Sequence, residues 1–149
     1  MSQDTIKEIL STCKTVAVVG LSREPEKESY TVAAYLKEHG FRIVPINPFA
    51  AEILGEKSYK SLLDLPAELR SQIDLVNVFR RPDDVKPIVE QVVKLKKENG
   101  KPCAIWMQLG IVNEKAADAA WKEGLAVVMD KCIMVEHRNL SQSRYSNSV

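Results

Sequence analysis

The run Thr15-Val-Ala-Val-Val19, stopping at Gly20, limits the fold more than any other stretch of the chain. It is β-branched almost throughout and lacks polar alternation, as a strand buried on both faces requires. A loop of small, charged and proline residues follows. From Tyr30 to His39 the apolar residues Val32, Ala33, Tyr35 and Leu36 recur at helical spacing, and Gly40 ends the pattern. Strand, glycine turn, loop and helix in this order form the first crossover of a parallel sheet, where such sheets usually hold a ligand. A helix starting there presents unpaired N–H groups and a positive dipole end, which suit phosphate. Ser22 and Ser29 add hydroxyls, and Arg23 and Lys27 add charge. The same residues also suit a plain turn, with Ser29 as the N-cap and both cations solvated, and one glycine does not decide between the two.

The alternation continues along the chain. Phe41 to Ile46 reads as a second strand, in which Pro45 is tolerable only near an end or on a free flank. Ile73 to Val78 is the third. The stripe Val85, Ile88, Val89, Val92, Val93 and Leu95 predicts a long helix stopped at Asn99-Gly100. Pro102 to Met107 is the fourth strand, Asn113 caps a helix over Glu114 to Glu123, and Leu125 to Met129 is the fifth strand. Asp4 to Ser11 opens the chain as a short helix, and Asp130 to Leu140 reads as irregular. The expectation is an α/β fold of one domain: a doubly wound, parallel, five-stranded sheet in the order 3-2-1-4-5. Residues 1–14 would be an N-terminal helix, 15–140 the domain and 141–149 a flexible polar tail.

A length of 149 residues suits one such domain. The net charge of +1 gives no reason to expect nucleic acid or a membrane surface as partner. No apolar run approaches the ~20 residues of a membrane span, and the first residues lack the features of a secretory signal, so a cytoplasmic location is expected. The 3 cysteines, Cys13, Cys103 and Cys132, lie far apart with no CxxC pair, which argues against zinc and for free thiols.

In a doubly wound sheet all strand exits face one crevice. Here they carry Gly20 to Arg23, Asn47 to Phe49, Phe79 to Arg81, Gln108 to Gly110 and Asp130 to Cys132. This set is rich in amide, hydroxyl, guanidinium and aromatic groups and poor in catalytic pairs. A nicotinamide dinucleotide would call for three glycines and an acid after the second strand. The chain has Gly20 alone and a neutral Asn47. His39 reads as a helix-terminal cation. Cys132 with His137 could make a nucleophile–base pair or an inert thiol beside a surface imidazole. Arg42 suits edge protection or anion binding, and Trp106 and Trp121 both read as core.

Taken together, Val18-Val-Gly-Leu-Ser-Arg-Glu-Pro25 with Ser29-Tyr30, Ile46-Asn-Pro48, Asn77-Val-Phe-Arg80, Ile105-Trp-Met-Gln-Leu-Gly-Ile-Val-Asn-Glu114 and Val127-Val-Met-Asp-Lys-Cys132 resemble the small stand-alone CoA-binding proteins. These are single-domain relatives of the CoA-binding domain of the succinyl-CoA synthetase α subunit and of ADP-forming acyl-CoA synthetases. The resemblance runs from about Thr15 to Leu140. It implies a Rossmann-like fold with coenzyme A at the strand exits. Gly20, Leu21 and Ser22 would hold the pyrophosphate, flanked by Arg23 and Ser29. Asn47, Pro48 and Phe49 would border the adenosine and its 3′-phosphate. Phe79 and Arg80 would form the opposite wall, and Gln108, Leu109 and Gly110 would lie toward the pantetheine. Family members often carry proline after the cysteine that Cys132 matches, where this chain has Ile133.

The synthetases also need a phosphohistidine domain and a nucleotide-grasping subunit, which a chain of this length is expected to lack. The expected role is therefore a non-catalytic carrier, sensor or accessory module for coenzyme A or acyl-CoA, with a homodimer plausible and Cys132 a possible contact for the CoA thiol. An NAD(H)-binding oxidoreductase or redox sensor and an interaction module with a vestigial pocket are the alternatives.

Overall fold

A computed structural model of the chain describes the backbone of residues 3–147 and the side chains of residues 3–142. Helix α1 (Gln3–Thr12) leads into strand β1 (Thr15–Val19), helix α2 (Glu28–Glu38) and strand β2 (Arg42–Ile46). A small antiparallel pair follows, β3 (Glu52–Ile53) and β4 (Glu56–Lys57), with the short helix α3 (Ala67–Arg70) after it. Then come β5 (Leu75–Val78), α4 (Val85–Asn99), β6 (Ala104–Met107), α5 (Glu114–Lys122), β7 (Ala126–Val128) and α6 (Ile133–Asn147).

The main sheet has 5 parallel strands in the order β2-β1-β5-β6-β7. The Rossmann-like α/β class is as expected. Counting only these strands along the chain, however, the order is 2-1-3-4-5 and not 3-2-1-4-5: the third strand lies against the first. The flanks of β2 explain the correction. Its alternate residues face away from β1, and on that side the Pro45 carbonyl accepts from Tyr59 N–H (3.1 Å) while the ring supplies no donor. Arg42 is exposed at the start of the same strand. A proline and a charge suit an edge, and another full strand could not form its ladder there. The inner place goes to β5, which is tied to β1 from both ends: Asp74 N–H donates to Thr15 O (2.9 Å) and Phe79 N–H to Val19 O (2.8 Å).

Two hydrophobic layers sandwich the sheet. Val19, Val44, Val76 and Val78 face α4 and α5 through Val85, Ile88, Val92, Ala116 and Ala120. Val16, Val18, Leu75 and Trp106 face α1, α2 and α6 through Ile6, Ile9, Val32, Leu36 and Ile133. Helices lie on opposite faces because right-handed crossovers reverse face when the chain reverses its direction across the sheet. Burying Ile9, Leu36 or Val92 contributes roughly 1.5–3 kcal/mol each.

The segment expected to be irregular between Asp130 and Leu140 is helical from Ile133. That helix continues to Asn147 through the stretch expected to be a loose tail; Ser148 and Val149 lie outside the described residues. Trp106 is core, but Trp121 is not. It stands next to Ala120, the inward residue of α5, and is therefore turned about a hundred degrees away from the core, 70% exposed. None of the helices among the described residues is long and apolar enough to cross a membrane.

Candidate functional site

The order in which successive strands are added reverses between β1 and β5. α2 leaves on one face and α4 on the other, so a crevice opens at the carboxyl ends of these two strands. Its volume is about 670 Å³, within the range of small-molecule sites. Gly20, Ser22 and Ser29 form one wall, Phe79 and Arg80 the other, and Leu109, Gly110 and Ile111 close it from the β6 side.

Gly20 makes the close approach of the walls possible. Its φ is +86°, and a Cβ added there would overlap the Phe79 carbonyl oxygen. Only glycine satisfies both conditions at once.

The next residues form a clasp. Ser22 N–H donates to Ser29 Oγ (2.9 Å), and Glu24 N–H donates to Ser22 Oγ (3.0 Å). Ser29 is therefore not the N-cap; that position is Lys27, which makes no side-chain cap bond. The first bond of α2 runs from Thr31 N–H to Lys27 O (3.2 Å). The N–H groups of Glu28, Ser29 and Tyr30 consequently have no acceptor within the helix. The hydroxyl protons of Ser22 and Ser29 also remain available as donors, since both oxygens serve as acceptors within the clasp. An uncapped helix start combined with two hydroxyls is a donor set for an anion.

Three cations surround it. Lys27, Arg80 and Arg81 all line the crevice, and none is ion-paired within the described residues. Glu28 and Asp84 also reach the lining, which leaves one positive charge in excess. Glu28, Asp84 and Ile111 extend the set of residues singled out from the sequence, which already held Lys27 and Arg81 as charged groups of the strand exits. Their signal was positional: each stands at a helix start or in a loop directly after a strand exit.

Other residues expected at the ligand support the crevice or stand apart from it. Leu21 is wholly buried, and its carbonyl accepts from Asn47 Nδ2 (2.9 Å). Asn47 Oδ1 in turn accepts from the N–H groups of Phe49 (2.7 Å) and Ala50 (3.2 Å). Asn47 thus ties the β1 and β2 exits together through its Oδ1 and one of its two Nδ2 protons. Pro48 and Phe49 lie outside the crevice lining, Phe49 85% exposed. Arg23 is exposed on the loop and is not part of the lining. Gln108 points inward: its Nε2 donates to Asn77 Oδ1, and its Oε1 accepts from Ile133 N–H (3.3 Å), joining β5, β6 and α6. Gly110 N–H is held by Asp130 Oδ1 (2.7 Å). Cys132 is buried at the start of α6 among core residues. His137 Nδ1 lies 2.7 Å from the Tyr35 hydroxyl, and His39 Nδ1 lies 2.7 Å from the Tyr35 carbonyl.

Comparison with known proteins gives a consistent picture. The family model described as the CoA binding domain matches residues 14–138. An uncharacterized protein of Bacillus subtilis, YneT, is 40% identical over 136 residues, covering 91% of this chain and 94% of that protein. The α subunit of acetate–CoA ligase (ADP-forming) II from Pyrococcus furiosus is 28% identical over 138 residues, with 85% of this chain matched to 28% of the subunit. Among solved structures, a hypothetical protein from Pyrococcus horikoshii superposes with a TM-score of 0.84 at 36% identity, covering 94% of this chain and 92% of that one.

Proposed function

The chain belongs to the CoA binding domain family, and from that premise we propose that the crevice between the β1 and β5 exits binds coenzyme A by its phosphate-bearing end. The observation that carries this reading is the uncapped start of α2, with the Ser22–Ser29 clasp beside it and, around it, three cations that have no ion-pair partner among the described residues. The diphosphate would rest on the N–H groups of Glu28, Ser29 and Tyr30 and on the two serine hydroxyls. Arg80 and Arg81 would supply bidentate donors to phosphate, and Lys27 a mobile point charge. A neutral Asn47 at the β2 exit fits a ligand with a further phosphate, which a carboxylate there would repel. Phe79, Leu109 and Ile111 offer an apolar flank for the pantetheine arm.

In this reading Leu21, Asn47 and Gln108 hold the loops in shape and do not touch the ligand. The role we propose is a non-catalytic carrier, sensor or accessory module. This is supported by the two serines of the lining, whose oxygens accept from backbone N–H groups within the clasp and have no histidine in the lining beside them as a base.

Isothermal titration with coenzyme A, dephospho-coenzyme A and NAD tests this reading. The expected result is 1:1 binding of coenzyme A, at least ~10-fold weaker binding without the 3′-phosphate, and weaker binding still of NAD. NAD bound as tightly as coenzyme A, or no heat from any of the three, would overturn it.

A further inference from the structure

The opposite, amino edge of the sheet brings together two residues that lie 90 positions apart in the chain. Cys13 sits between α1 and β1, and Cys103 stands immediately before β6. The strand between them is β5, and their side chains meet across its amino end with the sulfurs 3.7 Å apart. Both thiols also point at the Asp74 carbonyl oxygen, Cys103 at 3.4 Å and Cys13 at 3.9 Å. Less than about 2 Å of further approach separates the sulfurs from bonding distance. The pair is asymmetric: Cys13 is 1% exposed, while Cys103 is open to solvent.

We propose that Cys13 and Cys103 form a redox-active dithiol that reacts with low-molecular-weight disulfides, Cys103 as the attacking sulfur and Cys13 as the resolving one. In the first step the Cys103 thiolate attacks one sulfur of a disulfide RSSR. A Cys103–SR bond forms, the RS–SR bond breaks, and the departing thiolate takes a proton from solvent. In the second step the Cys13 sulfur, giving up its proton, attacks Cys103 Sγ. The protein disulfide forms and the second thiolate leaves with that proton. Two protein thiols are oxidised and one RSSR is reduced to two RSH.

The surroundings assign the roles. Access favours Cys103 for the first attack and burial reserves Cys13 for the second. The charged groups facing the pair are the Asp74 carboxylate and the Lys101 ammonium, themselves paired at 2.9 Å. The hydrogen bond from Cys13, together with the Lys101 charge, brings the Cys103 thiol down to about 7, against the opposing effects of partial burial and of Asp74. That same hydrogen bond, with burial, pushes the Cys13 thiol up, so it keeps its proton until the mixed disulfide has formed. Cys132 lies at the other edge of the sheet and takes no part. The proposal is independent of the ligand in the crevice.

The full-length protein equilibrated with glutathione disulfide, followed by intact-mass and peptide-mass spectrometry, tests it. The wild-type chain is expected to lose 2 of its 3 titratable thiols and gain a Cys13–Cys103 link with no lasting adduct. Cys13→Ser should retain glutathione on Cys103, Cys103→Ser should react at least ~10-fold more slowly, and Cys132→Ser should behave as wild type. Differential alkylation of the wild-type chain early in the reaction needs no variant to fold, and should find the mixed disulfide on Cys103. A wild-type chain that keeps all three thiols, or glutathione found on Cys132 and not on Cys103, would overturn the proposal.

Discussion

The carbonyl oxygen of Phe79 occupies the space in which any side chain at residue 20 would have to begin, and Gly20 itself has a φ of +86°. The two sides of the crevice touch here, backbone to backbone, because β5 lies beside β1. Gly20→Ala must therefore both adopt a left-handed conformation and push Phe79 away. We predict a loss of ~2–4 kcal/mol in stability, read by urea denaturation, together with loss of coenzyme A binding. An alanine variant as stable as the wild type would mean that the two exits can separate freely.

Ser29 is a clasp and not a cap. Replacing it with alanine removes the acceptor for Ser22 N–H and one hydroxyl from the proposed phosphate site. The expected cost is ~1 kcal/mol of stability and a roughly 10-fold rise in Kd for coenzyme A. Ser29→Ala binding as tightly as wild type would remove the clasp from the proposed site.

Arg80 is half-buried on the wall opposite the serines. Arg80→Ala is expected to weaken coenzyme A binding by ~10–100-fold, the worth of a charge-assisted bond to phosphate, with little effect on folding. Titration against dephospho-coenzyme A then identifies its target. If the variant and wild type bind that analogue equally well, Arg80 meets the 3′-phosphate; an equal loss with both ligands places it on the diphosphate.

At the amino edge, Asp74 accepts from Lys14 N–H (2.9 Å) and Thr15 N–H (3.0 Å) and pairs with Lys101. Burial by itself raises its pKa, but the bonds from Thr15, Lys14 and Lys101 outweigh burial and hold it below the ordinary carboxylate value. Because the folded value is the lower one, the stabilisation is fully present above the unfolded pKa near 3.8 and is lost as pH falls through the folded pKa. Asp74→Asn should therefore cost ~2 kcal/mol at pH 7, and the gap to wild type should close in strong acid. Denaturation curves at both pH values giving the same gap would exclude a charge-dependent role.

Much of this protein could be read from the order of its residues. The unbroken β-branched run before Gly20, the stripe from Val85 to Leu95, the Asn113 cap and the Gly100 stop each describe a local state, and each forms as expected: Asn113 Oδ1 accepts from Ala116 N–H (3.0 Å), and Gly100 has the left-handed backbone of a helix end. Local pattern reports which residues are buried, and this is enough for the α/β class and for pointing to the first crossover, where the crevice opens. Helix α6 escaped the same reading because its inward face includes His137 along with Ile133 and Leu140, so the apolar stripe is interrupted.

What only the tertiary structure decided is which buried groups meet. Strand order depends on which flank of β2 is blocked, and Pro45 and Arg42 signal an edge only once the competing position beside β1 is filled by β5. Asn47 and Gln108 look like ligand groups in a list of strand exits, yet their amides join segments 26 and 31 residues apart. The two thiols, separated by 90 residues, become neighbours solely because β1 and β6 flank the same strand. Sequence periodicity fixes the direction in which a side chain points relative to its own element, whereas contact between distant elements depends on how whole faces pack, a property no single stretch of chain possesses.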